Sequence, residues 1–265
     1  MVKVKLTMKI IKSMTLDDFR KITWIKLLKE HYGAIVKKIK NNKSYQWDHD
    51  GRVVFRLNVL FIGQTGTGKS STINRIIGKK YMLTSHVECC TKEVSCVEYD
   101  LGGSCYLCFC DMPGIGEGRV VDKAYVKWYK EMVAKSECVV YLMRADKRDY
   151  RVDLEMFNRL KRMGAKKKII VVLNCIDKLP PSNRDFPFQL SEAQMANLNE
   201  KISDVCGVFK LSSEKVVPIS ANENYSIKEL KQKICQTFLA RLDLQPTTPI
   251  KLLSKIFSNV DFFGK

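Results

Sequence analysis

Apolar residues recur along the chain with two different spacings, and the spacing changes near residue 52. Over residues 2–10 apolar and mostly polar residues alternate, which is the period of a β-strand. Over residues 16–39 the apolar residues fall mostly three or four positions apart, which predicts an amphipathic helix. The polar stretch 41–51 then separates this N-terminal extension, residues 1–51, from the rest of the chain.

Between residues 52 and 242, strand patterns and helix patterns alternate. Gly102-Gly103 lies between two strand-like runs and predicts a β-hairpin. Because strands that alternate with helices are usually parallel, the pattern predicts an α/β domain with a mostly parallel sheet and one antiparallel edge strand. The predicted strands cover residues 53–62, 93–99, 104–110, 138–143, 168–173 and 216–219, and the predicted helices cover 70–78, 121–136, 152–163, 192–206 and 227–238.

The C-terminal segment, residues 243–265, carries a further helical pattern. Leu253, Ile256, Phe257 and Val260 share one face of a helix predicted over residues 250–263. Two interpretations remain open for this apolar stripe: it lies on a membrane surface, or it packs on the protein's own domain. In the second case the two termini together form a small helical appendage to the central domain.

A glycine-rich sequence joins the first central strand to its helix. Gly63-Gln64-Thr65-Gly66-Thr67-Gly68-Lys69-Ser70 matches the pattern G-x-x-x-x-G-K-[ST] in full. In such a loop the glycines allow successive backbone N–H groups, and the N-terminus of the next helix, to face a phosphate chain. Lys69 is expected to reach the β- and γ-phosphates of a nucleotide, and Ser70 is expected to bind Mg²⁺.

A second candidate phosphate site follows the strand predicted at residues 104–110. There the sequence Asp111-Met112-Pro113-Gly114 places a carboxylate at the end of the strand. Asp111 can hold Mg²⁺ through water, and the backbone of Gly114 can contact a γ-phosphate. On its own this tetrapeptide is a common turn, but after a phosphate-binding loop it predicts a second phosphate contact.

A candidate base-binding sequence, Asn174-Cys175-Ile176-Asp177, follows the strand predicted at residues 168–173. An aspartate at this position can accept hydrogen bonds from N1 and from the exocyclic amine of guanine, which adenine cannot supply. Ser220 and Ala221 follow the last predicted strand and are expected to add a backbone contact to the guanine oxygen. The sequence therefore predicts GTP and GDP as ligands, rather than ATP.

With these motifs in this order, residues 57 to about 235 resemble an Era-related GTPase of the translation-factor class. The sequence of the P-loop, continued to Ser71, is also similar to that of bacterial septation-like and immunity-related GTPases. The resemblance implies a P-loop G domain over residues 52–242 and Mg²⁺-dependent hydrolysis of GTP. It further implies a molecular switch whose partner is a ribosome or RNA, a membrane, or a second copy of the chain.

The resemblance also implies roles for individual residues. Thr91 is expected to be the switch I threonine, with Thr84 as the less favoured alternative, and it would close on Mg²⁺ together with Ser70 and Asp111. The residues expected to act on the γ-phosphate are Lys69, Thr91 and Gly114.

Three positions depart from the pattern of the resembled family. Cys175 stands where the family usually has a lysine that packs along the guanine ring, which predicts weaker nucleotide affinity. Ile115 stands where some relatives have a glutamine that orients water, and Gly66 replaces an asparagine that helps some relatives to use potassium. The chain is therefore expected to hydrolyse GTP slowly on its own, until a partner or a second copy completes the site.

Composition bears on the partner of the protein, on its location and on the state of its cysteines. The net charge of +18 favours RNA or an anionic membrane as partner, or reflects a solvated lysine-rich surface. No apolar run reaches the length of a membrane span, and no secretory leader is recognised, so a cytoplasmic location is expected. Among the ten cysteines, those between residues 105 and 110 lie in a strand-like run, which favours buried thiols over a metal site.

Overall fold

One mixed β-sheet forms the centre of the computed structural model, which describes residues 8–14, 46–49, 52–82, 94–102, 105–114, 119–181 and 187–241. The strands are β1 (Met8–Met14), β2 (Gln46–His49), β3 (Arg52–Gly63), β4 (Val94–Gly102), β5 (Cys105–Asp111), β6 (Ser136–Arg144), β7 (Ile169–Asn174) and β8 (Val216–Pro218). Their spatial order is β1-β4-β5-β3-β6-β7-β8, and β2 pairs with β3 beside this path.

Most of the strand pairs are parallel. Strands β5, β3, β6, β7 and β8 run in one direction, as expected for strands that alternate with helices. Strand β4 is antiparallel to β5, and β2 is antiparallel to β3. Strand β1 lies outside β4 and pairs with it in parallel. The predicted α/β fold with a mostly parallel sheet is thus confirmed. The predicted antiparallel strand, β4, does not lie at the edge, because β1 pairs with its outer side; among the described strands, β1 and β8 end the main strand order.

Five α-helices cover the two faces of the sheet in the described part of the chain. They are α1 (Lys69–Ile77), α2 (Arg119–Ala134), α3 (Arg151–Leu160), α4 (Glu192–Phe209) and α5 (Ile227–Arg241). Because side chains alternate across a strand, Val59 and Phe61 of β3 face α1 and α5, while Leu60 and Ile62 pack in the cluster of α2, α3 and α4. Both faces of the sheet are therefore buried, and the loops that follow the strands remain available to form a site.

The N-terminal region departs in part from the sequence-based interpretation. Residues 46–49 form a strand within the stretch that was expected to be only a polar separator. The sequence explains it, because Asp50-Gly51 between two strand-forming runs is a strong hairpin signal. The helices predicted at residues 16–39 and 250–263 lie outside the described residues, so the helical appendage stays a prediction.

Two further properties concern the described part of the chain. Cys108 and Cys110 on β5 are buried free thiols, as their strand-like surroundings predicted. Within the described ranges, none of the helices combines the length and the apolar character that a bilayer crossing requires.

Candidate functional site

The predicted site residues meet at one edge of the sheet. The carboxyl ends of the parallel strands lie together there, and ligands of open α/β sheets bind outside such ends. The P-loop follows β3, Asp111 ends β5, Asn174 ends β7, and Ser220 follows β8. The motifs are up to 157 residues apart along the chain, from Gly63 to Ser220, and the topology brings them to one place.

The P-loop has a backbone shape that requires glycine at the last of its three glycine positions. Gly68 has φ 87° and immediately precedes α1. A Cβ atom added there would lie 2.3 Å from Nδ2 of Asn174, so a side chain would displace the candidate base-binding loop. Thr67 is buried, and its N–H and hydroxyl both donate to the carbonyl oxygen of Gln64, over 3.3 and 2.9 Å. The loop therefore closes on itself and directs the N-terminus of α1 towards the site.

Lys69, Ser70 and Asp111 form the polar centre of the site. The ammonium of Lys69 is buried and donates to the carbonyl oxygens of Gly63 and Gln64, over 3.3 and 3.2 Å. The hydroxyl of Ser70 donates to Oδ2 of Asp111. Burial raises the pKa of the Asp111 carboxyl to about 6, although the charge of Lys69 and the bond from Ser70 both oppose this shift.

The second oxygen of Asp111 has no hydrogen-bond partner among the described residues. This atom, Oδ1, is buried, and a buried acceptor without a partner is unfavourable by about 1–3 kcal/mol. A cation bound beside Asp111 would remove this cost and would also favour the ionised carboxyl. The hydroxyl of Ser70 and the carboxylate of Asp111 are both hard oxygen donors, which is the ligand type that Mg²⁺ prefers.

Gly114 lies against the backbone of the P-loop. A Cβ atom at this position would come within 2.1 Å of Oγ1 of Thr65 and within 3.1 Å of its Cα. Only glycine permits this approach. The segment after β5 and the phosphate-binding loop are therefore in direct contact, so a shift in one must displace the other.

Asp153 of α3 also contacts the P-loop. Nε2 of Gln64 donates to Oδ2 of Asp153 over 2.6 Å, and the hydroxyl of Tyr141 donates to Oδ1 over 2.9 Å. Asp153 is buried, and its burial raises the pKa of the carboxyl. Sequence analysis missed this contact because Asp153 belongs to no recognised motif.

The candidate base-binding residues are linked to each other and to the P-loop. Nδ2 of Asn174 donates to the carbonyl oxygen of Thr67 over 2.8 Å, and its Oδ1 accepts from the N–H of Ala221 over 3.1 Å. The hydroxyl of Ser220 donates to Oδ1 of Asp177 over 2.6 Å, which orients that half-buried carboxylate. One asparagine thus joins three loops, and one serine fixes the carboxylate that was predicted to read guanine.

Two arginines outside the predicted motifs also reach this edge. Arg75 of α1 donates to the carbonyl oxygens of Ala221 and Asn222, each over 2.7 Å, and so anchors the loop after β8. Arg144, the last residue of β6, donates through Nη1 to the carbonyl oxygen of Gly66 over 3.3 Å. The position of Arg144 at a strand end was visible in the sequence, but its direction towards the P-loop was not.

Part of the predicted site lies outside the described residues. Thr91, the alternative Thr84, and Ile115 all fall in the ranges 83–93 and 115–118, so their roles stay predictions. Gly66 and Thr65 are described and exposed at the tip of the P-loop, and Ser71 follows Ser70 in the first turn of α1.

Known proteins share this sequence pattern. Residues 58–175 match the family model described as 50S ribosome-binding GTPase. The chain is 27% identical over 189 residues to the Escherichia coli protein YkfA, covering 71% of this chain and 63% of YkfA. It is 25% identical over 186 residues to GTPase Era of Histophilus somni, covering 69% of this chain and 55% of Era. Over residues 58–175, the chain is therefore similar in sequence to a GTPase domain of the P-loop class.

Solved structures share the fold. Era in complex with MgGDPNP and nucleotides 1506–1542 of 16S ribosomal RNA superposes with a TM-score of 0.55 at 22% identity, over 69% of this chain and 57% of Era. A chain from the structure of the chloroplast translocon components atToc33 and psToc159, for whose GTPase activity dimerization is important, superposes with a TM-score of 0.52 at 17% identity, over 81% of this chain and 94% of the matched chain. This chain thus spans 63% of YkfA and 57% of the solved Era chain.

Proposed function

We propose that this protein is a Mg²⁺-dependent molecular switch that binds and hydrolyses GTP. The observation that carries the proposal is the hydrogen bond from Asn174 to Thr67, because it joins a base-reading loop to a phosphate-binding loop. A nucleotide is the ligand class that presents a phosphate chain and a purine at the two ends of one molecule.

The phosphate end is assigned to the P-loop and to Lys69. Successive N–H groups between Gly66 and Ser70, together with the N-terminus of α1, face the phosphate chain, and the ammonium of Lys69 neutralises its β- and γ-phosphates. Lys69 donates to the carbonyl oxygens of Gly63 and Gln64, which are neutral acceptors, so it can exchange them for charged phosphate oxygens. The backbone N–H of Gly114 is assigned to the γ-phosphate, where it senses whether this group is present.

The metal is assigned to Ser70 and Asp111, with Thr91 closing on it from switch I. Bound Mg²⁺ would offset the negative charge that develops on the phosphates during transfer. The support is Oδ1 of Asp111, which is buried beside the Ser70 hydroxyl and has no hydrogen-bond partner in the described part of the chain. Ser71 completes the helix N-terminus next to these ligands.

The base end is assigned to Asp177, Asn174, Ser220 and Ala221. The carboxylate of Asp177 accepts from N1 and the exocyclic amine of guanine, while adenine offers an acceptor at N1 and would leave the carboxylate unpaired. Ser220 holds the carboxylate in position, and Asn174 holds the N–H of Ala221. Selectivity for guanine therefore depends on a pre-organised loop rather than on Asp177 alone.

Hydrolysis by the isolated chain is proposed to be slow. The contacts between the metal, the lysine and the phosphates are expected to be complete, but Ile115 is apolar and Gly66 has no side chain, so neither can orient the attacking water. A partner that supplies the missing group would accelerate the reaction. The dimerization reported for Toc33 supports a second copy in this role. The net charge of +18, and the RNA bound to Era, support an RNA partner instead.

A second candidate function is a nucleotide-binding interaction module with negligible turnover. Cys175 and Ile115 favour it, because Ile115 cannot orient the attacking water and Cys175 lacks the lysine that packs along the guanine ring, while the other binding residues remain in place. The two functions differ in turnover and share their binding specificity.

Single-turnover hydrolysis of GTP, measured over a range of protein concentrations, tests the proposal. We expect a slow rate on the order of 10⁻⁴–10⁻³ s⁻¹ for the isolated chain, which rises with protein concentration or with added RNA. Lys69→Ala should abolish both the slow and the stimulated reaction, and Thr91→Ala should abolish the stimulation. GTP binding without detectable hydrolysis under every condition would favour the interaction module instead.

A further inference from the structure

The end of strand β6 brings a cationic side chain into the space between the P-loop and the base-reading loop. Arg144 is paired in register with Asn174, the first residue of the candidate base-binding sequence. Its side chain is 24% exposed, and Nη1 donates to the carbonyl oxygen of Gly66 over 3.3 Å. The guanidinium therefore lies beside the loop that follows β7 and reaches across to the tip of the P-loop.

A neighbouring carboxylate fixes the plane of this guanidinium. Nε of Arg144 donates to Oδ1 of Asp146 over 2.9 Å, and Nη2 donates to Oδ2 over 2.6 Å. Such a two-point contact holds the planar group in one orientation. The pKa of Arg144 is raised above its ordinary value, first by the bond to Asp146, and the charge of Asp177 acts in the same direction. The side chain is thus charged, oriented and close to the residue that is assigned to the guanine edge.

Cys175, on the loop after β7, cannot supply a positive charge at this place. Cys175 occupies the position after Asn174, where the resembled GTPases usually have a lysine along the guanine ring. Its side chain is half-buried, and burial raises the pKa of its thiol, so Cys175 is neutral at physiological pH. The backbone of Cys175 has a φ of 65°, which lies in the left-handed region. This conformation turns the chain sharply between Asn174 and Asp177.

We propose that Arg144 replaces the missing lysine, by stacking its guanidinium on the purine ring of the bound nucleotide while it contacts the P-loop at Gly66. The proposal rests on the proposed function, because it concerns the same nucleotide. A planar guanidinium stacks on aromatic rings more effectively than an ammonium, which makes arginine a competent substitute. Arg144 is then a binding residue supplied from β6 rather than from the loop after β7.

Stacking predicts a specific selectivity. The ring face of guanine and that of hypoxanthine are alike, so Arg144 contributes equally to the binding of GDP and IDP. Asp177 reads the exocyclic amine, which IDP lacks, so Asp177 distinguishes these two nucleotides. The roles of the two residues can therefore be separated by comparing one nucleotide pair.

The experiment measures the affinities of GDP and IDP for the full chain by titration calorimetry. Arg144→Ala should weaken both affinities by the same factor, roughly tenfold. Arg148→Ala is the matched control, because Arg148 is an exposed arginine in the same loop, and its removal should change neither affinity. Unfolding midpoints without nucleotide verify that both variants fold.

A rescue variant distinguishes a nucleotide-binding role of Arg144 from a purely structural role of this residue. Cys175→Lys should restore most of the GDP affinity in the Arg144→Ala background, while it changes the affinity of the Arg144-containing chain by less than about threefold. Equal effects of Cys175→Lys in both backgrounds would overturn the proposal, as would an Arg144→Ala chain that binds GDP as tightly as the wild type. If the wild-type chain bound neither GDP nor GTP, the proposed function itself would fail, which is a distinguishable result.

Discussion

Asn174 donates a hydrogen bond to the backbone carbonyl of Thr67 over 2.8 Å, across 107 residues of sequence. Through the same amide, Asn174 also accepts from the N–H of Ala221. The donor and the acceptor of this buried side chain are therefore both used to connect loops. Asn174 therefore links the P-loop to the candidate base-binding loop and to the loop after β8.

Asn174→Ala is expected to destabilise the protein and to weaken nucleotide binding. It leaves the carbonyl of Thr67 and the N–H of Ala221 without their partner, at a cost of about 1–3 kcal/mol for each group that stays dry. Chemical unfolding without nucleotide measures the loss of stability. Asn197→Ala is the matched control, because Asn197 makes a similar bond, to the carbonyl of Pro180, at a half-exposed position. An Asn174 variant as stable as this control would contradict the connecting role.

Gly114→Ala is expected to disturb the P-loop rather than the fold. The added methyl group would meet Thr65 at 2.1 Å from Oγ1 and at 3.1 Å from Cα. A displacement of about 1 Å in a catalytic group can lower a rate roughly 10²-fold. The readout is single-turnover GTP hydrolysis together with the unfolding midpoint. Combining the change with Thr65→Ala should restore activity only in part, because the contact with Cα persists.

A second glycine provides the control for this substitution. Gly207 lies in α4, and an added Cβ at this position would meet no atom within 4 Å. Gly207→Ala should therefore stabilise the protein by about 0.5–1 kcal/mol and leave hydrolysis unchanged. If this variant also lost activity, the effect of Gly114→Ala could not be attributed to its contact with Thr65.

Ser70→Ala is expected to change the Mg²⁺ dependence of binding. The variant removes a candidate metal ligand and the hydrogen bond to Oδ2 of Asp111, while the P-loop backbone is retained. GTP affinity measured with and without Mg²⁺ should differ strongly for the wild type and little for Ser70→Ala. Equal responses of the two proteins to Mg²⁺ would exclude Ser70 from the metal site.

Lys231 of α5 gives the stability of the fold a defined pH dependence. Its side chain is buried, and this burial lowers its pKa from the ordinary 10.5 to about 8. Between these two values the unfolded chain binds more protons than the folded chain, so stability rises as the pH increases from about 8 to 10.5. Lys231→Met should therefore be more stable than the wild type at pH 7, and this advantage should shrink above pH 8. A difference that stays constant up to pH 10.5 would show that Lys231 titrates normally.

Local patterns in the sequence were sufficient to predict the elements of the central domain. The strand before Gly63, the helix that ends before Gly78 and the hairpin at Gly102 follow from residue periodicity and turn chemistry, which act over a few neighbours. The motif residues could be assigned to one site because parallel strands share the edge at which they end. Strand β2 was not predicted, because the polar residues of the stretch 41–51 conceal the hairpin signal of Asp50-Gly51.

Contacts between distant side chains could not be predicted in the same way. Gln64 reaches Asp153 across 89 residues, and Arg144 reaches Gly66 across 78 residues. Neither contact has a characteristic spacing, because each depends on the register between strands and on the rotamers of long side chains. These contacts hold the P-loop in place, so the sequence located the site while the structure revealed how it is supported.

Guanine recognition by Asp177 is the property that decides whether this chain is a GTP-binding protein. The measurement is competition of GTP and of ATP against labelled GDP, for the wild type and for Asp177→Asn. We expect GTP to compete far better than ATP with the wild type, because ATP would leave the carboxylate of Asp177 unpaired. Asp177→Asn should lose this preference and should bind xanthine nucleotides more tightly than the wild type does. Equal competition by GTP and ATP with the wild-type chain would contradict the account.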